Sequence, residues 1–169
     1  MKISIVYESK SGRTEKVAHM IEEGIKRAGD IEVKLMNIEK GPVDKKFINE
    51  SSAIFFGTPT YYSSISWQMK KWFDESFKLN IEGKIGAAFA TADYLGGGSD
   101  IALLTLIGHM VVKGMLVYSG GSALGHPYTH LGVTALKQVD EKQEEKIKIF
   151  GKRVAEKALM LYESGHMAK

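Results

Sequence analysis

Short apolar runs alternate along this chain with stretches of helical periodicity, and few architectures accommodate that order. Residues 2–7, 31–36, 52–56, 84–90 and 115–118 are brief and rich in Ile, Val, Phe and Ala, so they read as strands. The run at 52–56 is continuously apolar, as a strand covered on both faces should be. Residues 14–28 place Val17, Met20, Ile21 and Ile25 on one helical face, with Gly29 as a stop. Residues 65–79 gather Met69, Trp72 and Phe73, and residues 99–112 open at Ser99 or Asp100, both suited to capping a first turn. Residues 120–136 read as a loop, and residues 139–163 as a final helix with Glu141, Lys142, Glu145, Lys148 and Lys152 on its wet face. Strands separated by helices call for parallel crossovers. The expected fold is α/β: a three-layer α/β/α, doubly wound, five-stranded parallel sheet, forming a single domain over residues 1–169.

A chain of 169 residues buries a sizeable core without staples. It has no cysteine, which excludes disulfides, thiol catalysis and thiolate-held metals or clusters. Its 23 Lys and Arg against 20 Asp and Glu leave a net charge of +3. The basic residues occur as pairs (Lys45-Lys46, Lys70-Lys71, Lys152-Arg153) rather than a stripe, so no nucleic-acid partner is expected. No run approaches the roughly 20 apolar residues of a membrane span. Residues 1–7 lack the long apolar region of a secretory signal. The expected location is the cytoplasm.

Parallel sheets of this kind bind ligands beyond the carboxyl ends of their strands, which directs attention to three loops. Residues 8–14, Glu-Ser-Lys-Ser-Gly-Arg-Thr, lead from a strand directly into a helix. Ser9, Ser11, Gly12, Arg13 and Thr14 surround that helix start, and exposed amides with the helix dipole suit an anion. The same residues also read as a simple capping loop, with Ser11 or Thr14 satisfying the first turn. The spacing matches neither the triphosphate loop nor the dinucleotide fingerprint, which leaves a monophosphate. In residues 57–64, Pro59, Thr60, Tyr61 and Tyr62 follow a strand end, and aromatic faces there suit a planar ligand; alternatively, one tyrosine plugs the core and the other is solvated. In residues 91–98, Thr91, Ala92 and Asp93 precede Gly96-Gly97-Gly98. Consecutive glycines fit a backbone that a ligand must approach closely, or a loose connector. Together the loops describe a site for a phosphorylated planar cofactor.

These segments resemble the flavodoxin-like superfamily, and within it the NAD(P)H:quinone oxidoreductases of the WrbA type. Ile5 to Thr14, Gly57 to Tyr61 with Gln68-Met69-Lys70 and Phe73-Asp74, the glycine run at 96–98 and Gly125-His126-Pro127-Tyr128 carry the likeness, over residues 3 to 130. The resemblance implies non-covalent FMN. Ser9, Ser11, Gly12, Arg13 and Thr14 would hold its phosphate, and Pro59, Thr60, Tyr61 and Tyr62 would line its ring. Thr91, Ala92, Asp93, Gly96 and Gly97 would meet its polar edge and ribityl chain. It further implies a two-electron reductase. NADH or NADPH would be the co-substrate, a quinone-like small molecule the acceptor, and the protein a homodimer or homotetramer. His126 and Tyr128 would be the catalytic or positioning residues over the flavin, unless His126 is a plain solvated histidine. No metal is expected, because His126 and His130 would need a helix between them and Pro127 argues against one. His19 and His109 read as packing or surface residues.

Three departures stand out. Trp67 replaces a smaller residue, Arg13 adds charge at the phosphate loop, and the chain is short around 120–136. The alternative function is a flavodoxin-type electron carrier between protein partners. It is placed second because such carriers are commonly acidic, which helps them dock, whereas this chain is at +3. A phospho-receiver is set aside, since residues 56–58 hold no carboxylate.

Overall fold

The computed structural model describes residues 1–163. Its element order is β1 (Lys2–Tyr7), α1 (Arg13–Lys26), β2 (Glu32–Asn37), α2 (Lys45–Glu50), β3 (Ala53–Pro59), α3 (Trp67–Glu75), β4 (Ile85–Thr91), α4 (Ser99–Val112), β5 (Leu116–Val117), β6 (Val133–Ala135) and α5 (Glu141–Glu163). Every strand pairing is parallel, in the order β2-β1-β3-β4-β5, with β6 also on β4. This is the doubly wound sheet that the alternation predicts. α2, a single short helix capped by Asp44, was not legible.

The strand alternation sorts the core into two layers. Ile3, Ile5 and Tyr7 of β1 join Phe55, Phe89 and Phe150 beneath α1 and α5. Val6, Ile54, Phe56 and Ala88 face the other way, onto α3 and α4 through Met69, Phe73, Leu103, Leu106 and Met110. Burial on both sides is why β3 and β4 read as continuous apolar runs. α1 and α5 touch backbone to backbone: a Cβ on Gly24 would lie 2.0 Å from the Lys148 carbonyl oxygen.

The fifth sheet position differs from expectation. β5 covers Gly86 and its neighbour Ile85, while β6 covers Phe89 to Thr91, so the two short strands share the outer edge of β4. Residues 118–132 are thus an excursion out of one interrupted edge strand. Arg153, on α5, is 8% exposed and holds that excursion. Its guanidinium donates to the carbonyls of Leu124, Gly125, His126 and Pro127 at 2.8–3.1 Å.

Candidate functional site: a cleft at the carboxyl ends of the strands

The three loops meet. A narrow arm of about 80 Å³ is lined by Lys10, Ser11, Arg13, Thr14, Pro59, Thr60, Tyr61, Thr91, Ala92 and Asp93. A wider arm of about 390 Å³ shares Thr60, Tyr61, Ala92 and Asp93 and adds Tyr62, Ser63, Tyr94, Gly96 and Gly97. The loops are tied across the gap: the Thr60 amide donates to the Thr91 carbonyl at 2.8 Å, and the Thr14 and Thr91 hydroxyls lie 3.1 Å apart. Arg13 pairs with Asp93, which draws the Asp93 carboxyl below its ordinary range.

The narrow arm sits at the start of α1. Gly12 occupies the N-cap in the left-handed conformation (φ 86°) and, as a glycine, supplies no side-chain cap. The capping-loop reading therefore fails for Ser11 and Thr14. Ser9 takes up the Glu15 amide at 3.2 Å, but the first amides of the helix have no side-chain acceptor at the cap. Asn37, at the end of β2, clamps the loop through both the amide and the carbonyl of Ser9. Its place at the carboxyl end of β2 is the sequence signal for this role.

The wider arm has a tyrosine hairpin for a wall. Tyr61 and Ser64 exchange backbone hydrogen bonds at 3.0 and 2.9 Å, and the two residues between them both have positive φ, 48° at Tyr62 and 59° at Ser63. That is the geometry of a type I′ turn built without glycine or asparagine, a strained choice for a tyrosine. Tyr62 is fully exposed at the tip and Tyr61 is half exposed, so neither plugs the core. In the glycine run opposite, two positions meet the protein itself. A Cβ on Gly98 (φ 88°) would lie 2.2 Å from the Ser63 hydroxyl oxygen, and one on Gly97 would lie 2.9 Å from the Tyr94 carbonyl. At Gly98 the close approach is between two walls of the cleft, while a Cβ on Gly96 would meet nothing within 4 Å.

Two buried polar groups are left unsatisfied here. Thr60 Oγ1, in the cleft wall, has no hydrogen-bond partner. Glu8, just before the first loop, is fully buried and neither carboxylate oxygen makes a hydrogen bond. Burial foremost, then the Glu39 carboxylate, pushes its carboxyl up from the ordinary value; Ser66 and Lys10 offset part of this. The two-residue period of β1, with Val6 facing the α3–α4 layer, already directs Glu8 inward.

All the expected cofactor residues except Ser9 and Gly12 line one arm or the other, and those two flank the narrow one. His126 and Tyr128 do not line the cleft. Their rings lie 4.0 Å apart, tilted, within the edge-strand excursion held by Arg153. A sequence cannot show that β5 is interrupted, so the excursion was read as a loop over the strand ends. Among the described residues no cluster of His, Asp and Glu is arranged to hold a metal ion, and no helix is long and apolar enough to cross a membrane.

The flavodoxin family model matches residues 5–102. A flavodoxin of Clostridium saccharobutylicum is 59% identical, over 96% of this chain and 100% of that one. A solved flavodoxin, a WrbA-like protein from Agrobacterium tumefaciens, superposes with a TM-score of 0.77 at 25% identity, covering 94% of this chain and 98% of that one. An NAD(P)H dehydrogenase (quinone) of Archaeoglobus fulgidus is 27% identical, over 93% and 97% of the two chains. The chain belongs to the flavodoxin family.

This overturns the expected activity. The likeness to a flavodoxin is more than twice as close in identity as that to the quinone dehydrogenase, so the NAD(P)H:quinone reductase reading is withdrawn, with its nicotinamide co-substrate and quinone acceptor. The carrier reading, set second on net charge, is the better supported. Net charge misled because it sums the whole surface. Residues 58–66 and 92–98, which form two walls of the cleft, contain one formal charge, Asp93, and it is paired with Arg13.

Proposed function

We propose that this protein is an FMN-binding electron carrier that passes electrons between protein partners. The observation that carries the reading is the two-armed cleft, with an uncapped helix start at its narrow end and an unpartnered threonine hydroxyl in the shared wall. The residues present fit FMN. The α1 amides, Ser11 and Thr14 offer donors and a helix dipole to a phosphate dianion. Arg13 adds a cation, once it exchanges Asp93 for the phosphate. Thr60 supplies a hydroxyl that has no other partner. Tyr61 and Tyr94 present aromatic faces to a planar ring.

When bound, FMN supplies reversible electron transfer of its own. The chain's part is placement. The rigid ends of β1, β3 and β4 hold the three loops in register, and the Thr60–Thr91 and Thr14–Thr91 contacts keep the two arms at a fixed separation. Tyr62, Tyr94 and Leu95 stand exposed at the rim, where a partner docks.

The protein is expected to purify yellow, or to take up FMN stoichiometrically, and to be reduced by dithionite in two resolved one-electron steps. NADPH or NADH should not reduce it at a useful rate without a partner reductase. Failure to retain FMN overturns the reading, and so does a single two-electron step with nicotinamide turnover.

A further inference from the structure

We infer that Asn37 sets this protein's preference for a phosphorylated flavin, as a positioning residue that holds the phosphate loop without lining the cleft; this rests on the FMN reading. Asn37 ends β2, is absent from the lining of both arms and is 9% exposed. Its side chain makes three hydrogen bonds. Oδ1 accepts from the Ser9 amide at 3.3 Å and from the Glu39 amide at 3.1 Å, and Nδ2 donates to the Ser9 carbonyl at 2.8 Å.

Those bonds carry pairing past the point where the sheet stops. The β1–β2 register ends at Tyr7 and Asn37, with one more bond from the Ile38 amide to the Tyr7 carbonyl. Beyond it, the Asn37 side chain gives the Ser9 backbone one donor and one acceptor, as a neighbouring strand would. On its own side Asn37 opens a closed turn. The Lys40 amide donates to the Asn37 carbonyl at 3.0 Å, and the Glu39 bond is the local one that asparagine makes at the first position of a turn. The turn thus fixes the side chain that holds the loop.

Ser9 passes the constraint on. Its hydroxyl accepts from the Glu15 amide at 3.2 Å, so the residue held by Asn37 also holds the first turn of α1. Residues 10–14, which carry the anion donors, run between these two fixed points. Glu15 is tied to the same turn a second way: its carboxylate accepts from Lys40 Nζ at 2.7 and 3.0 Å and from the Tyr7 hydroxyl at 3.2 Å. A phosphate is held by amides that converge on it, and amides ordered in advance remove the cost of ordering them on binding. Asparagine is the shortest side chain that offers a donor and an acceptor in one neutral plane. Aspartate would turn an oxygen toward the Ser9 carbonyl and bring a negative charge to the anion seat.

Titration of the FMN-free protein with FMN and with riboflavin, followed by fluorescence quenching, tests this. The two ligands share the ring and ribityl chain and differ by the phosphate, so the ratio of their affinities reports the phosphate seat. Asn37→Ala, and separately Asn37→Leu, which keeps most of the volume, should each weaken FMN about tenfold, the scale of two lost hydrogen bonds, and leave riboflavin within about twofold. Ile48→Val, at a fully buried position of α2, should lower the melting temperature and leave the ratio at its wild-type value. Asn37 variants that weaken both flavins alike, or neither, overturn the inference alone, and so does an equal shift of the ratio by Ile48→Val. Asn37 variants that do not fold overturn it too, because the role is then structural. Wild-type protein that binds neither flavin overturns the FMN reading along with it.

Discussion

Two helix starts in this molecule share a backbone conformation and owe it to different causes. α2, α3 and α5 are capped by side chains: Asp44, Ser66 and Asp140 accept amides one turn on, at 2.9, 3.2 and 2.7 Å. α1 and α4 begin instead with a left-handed glycine and no side-chain cap. At Gly12 a Cβ would meet nothing; at Gly98 it would run into Ser63. The first glycine leaves amides open to the cleft, and the second lets the two walls of the cleft close on each other. One start stands free of neighbours beside the cleft, and the other is set by packing.

Substitution separates these causes. Gly98→Val combines left-handed strain of about 1–2 kcal/mol with overpacking of about 1–3 kcal/mol, and should show the largest loss of stability in a urea titration of the FMN-free protein. Gly12→Ala meets no neighbour and should show the strain alone, about 1–2 kcal/mol. Equal costs at the two sites would break the comparison.

The two unsatisfied groups sharpen it. Glu8 faces the interior, so Glu8→Gln, which removes a buried charge, should stabilise the FMN-free protein at neutral pH, with FMN affinity unchanged. The sign follows from linkage. Burial raises the folded carboxyl above its ordinary value of 4.5, so wild-type stability falls as pH rises from there through the folded value. The advantage of glutamine should therefore vanish below about pH 4.5, as thermal melts across pH would show. Thr60 faces the cleft, so Thr60→Val should do the reverse. Stability should hold, while FMN affinity, followed by fluorescence quenching, falls about fivefold, or ~1 kcal/mol.

Much of the fold was legible because periodicity is local. α4 was read at its observed limits, and β1 likewise, since their apolar spacing and flanking turns lie within a few residues. The cleft residues were legible for a related reason: a parallel sheet exposes its carboxyl-end loops together, so Ser11, Thr60 and Asp93 could be grouped before any coordinate was known. The likeness to quinone reductases pointed to the right superfamily and the wrong activity, because the shared segments build the cleft and do not specify what docks at it.

The sequence by itself determined the α/β alternation, the three converging loops and the absence of thiol chemistry, since each depends on residue types at short spacing. Tertiary structure alone decided that β5 is interrupted, that Arg153 holds the backbone of residues 124–127, and that both Glu8 carboxylate oxygens are buried without a hydrogen bond. Those features depend on which distant segments share a boundary, and burial and pairing across such boundaries leave no trace in local spacing.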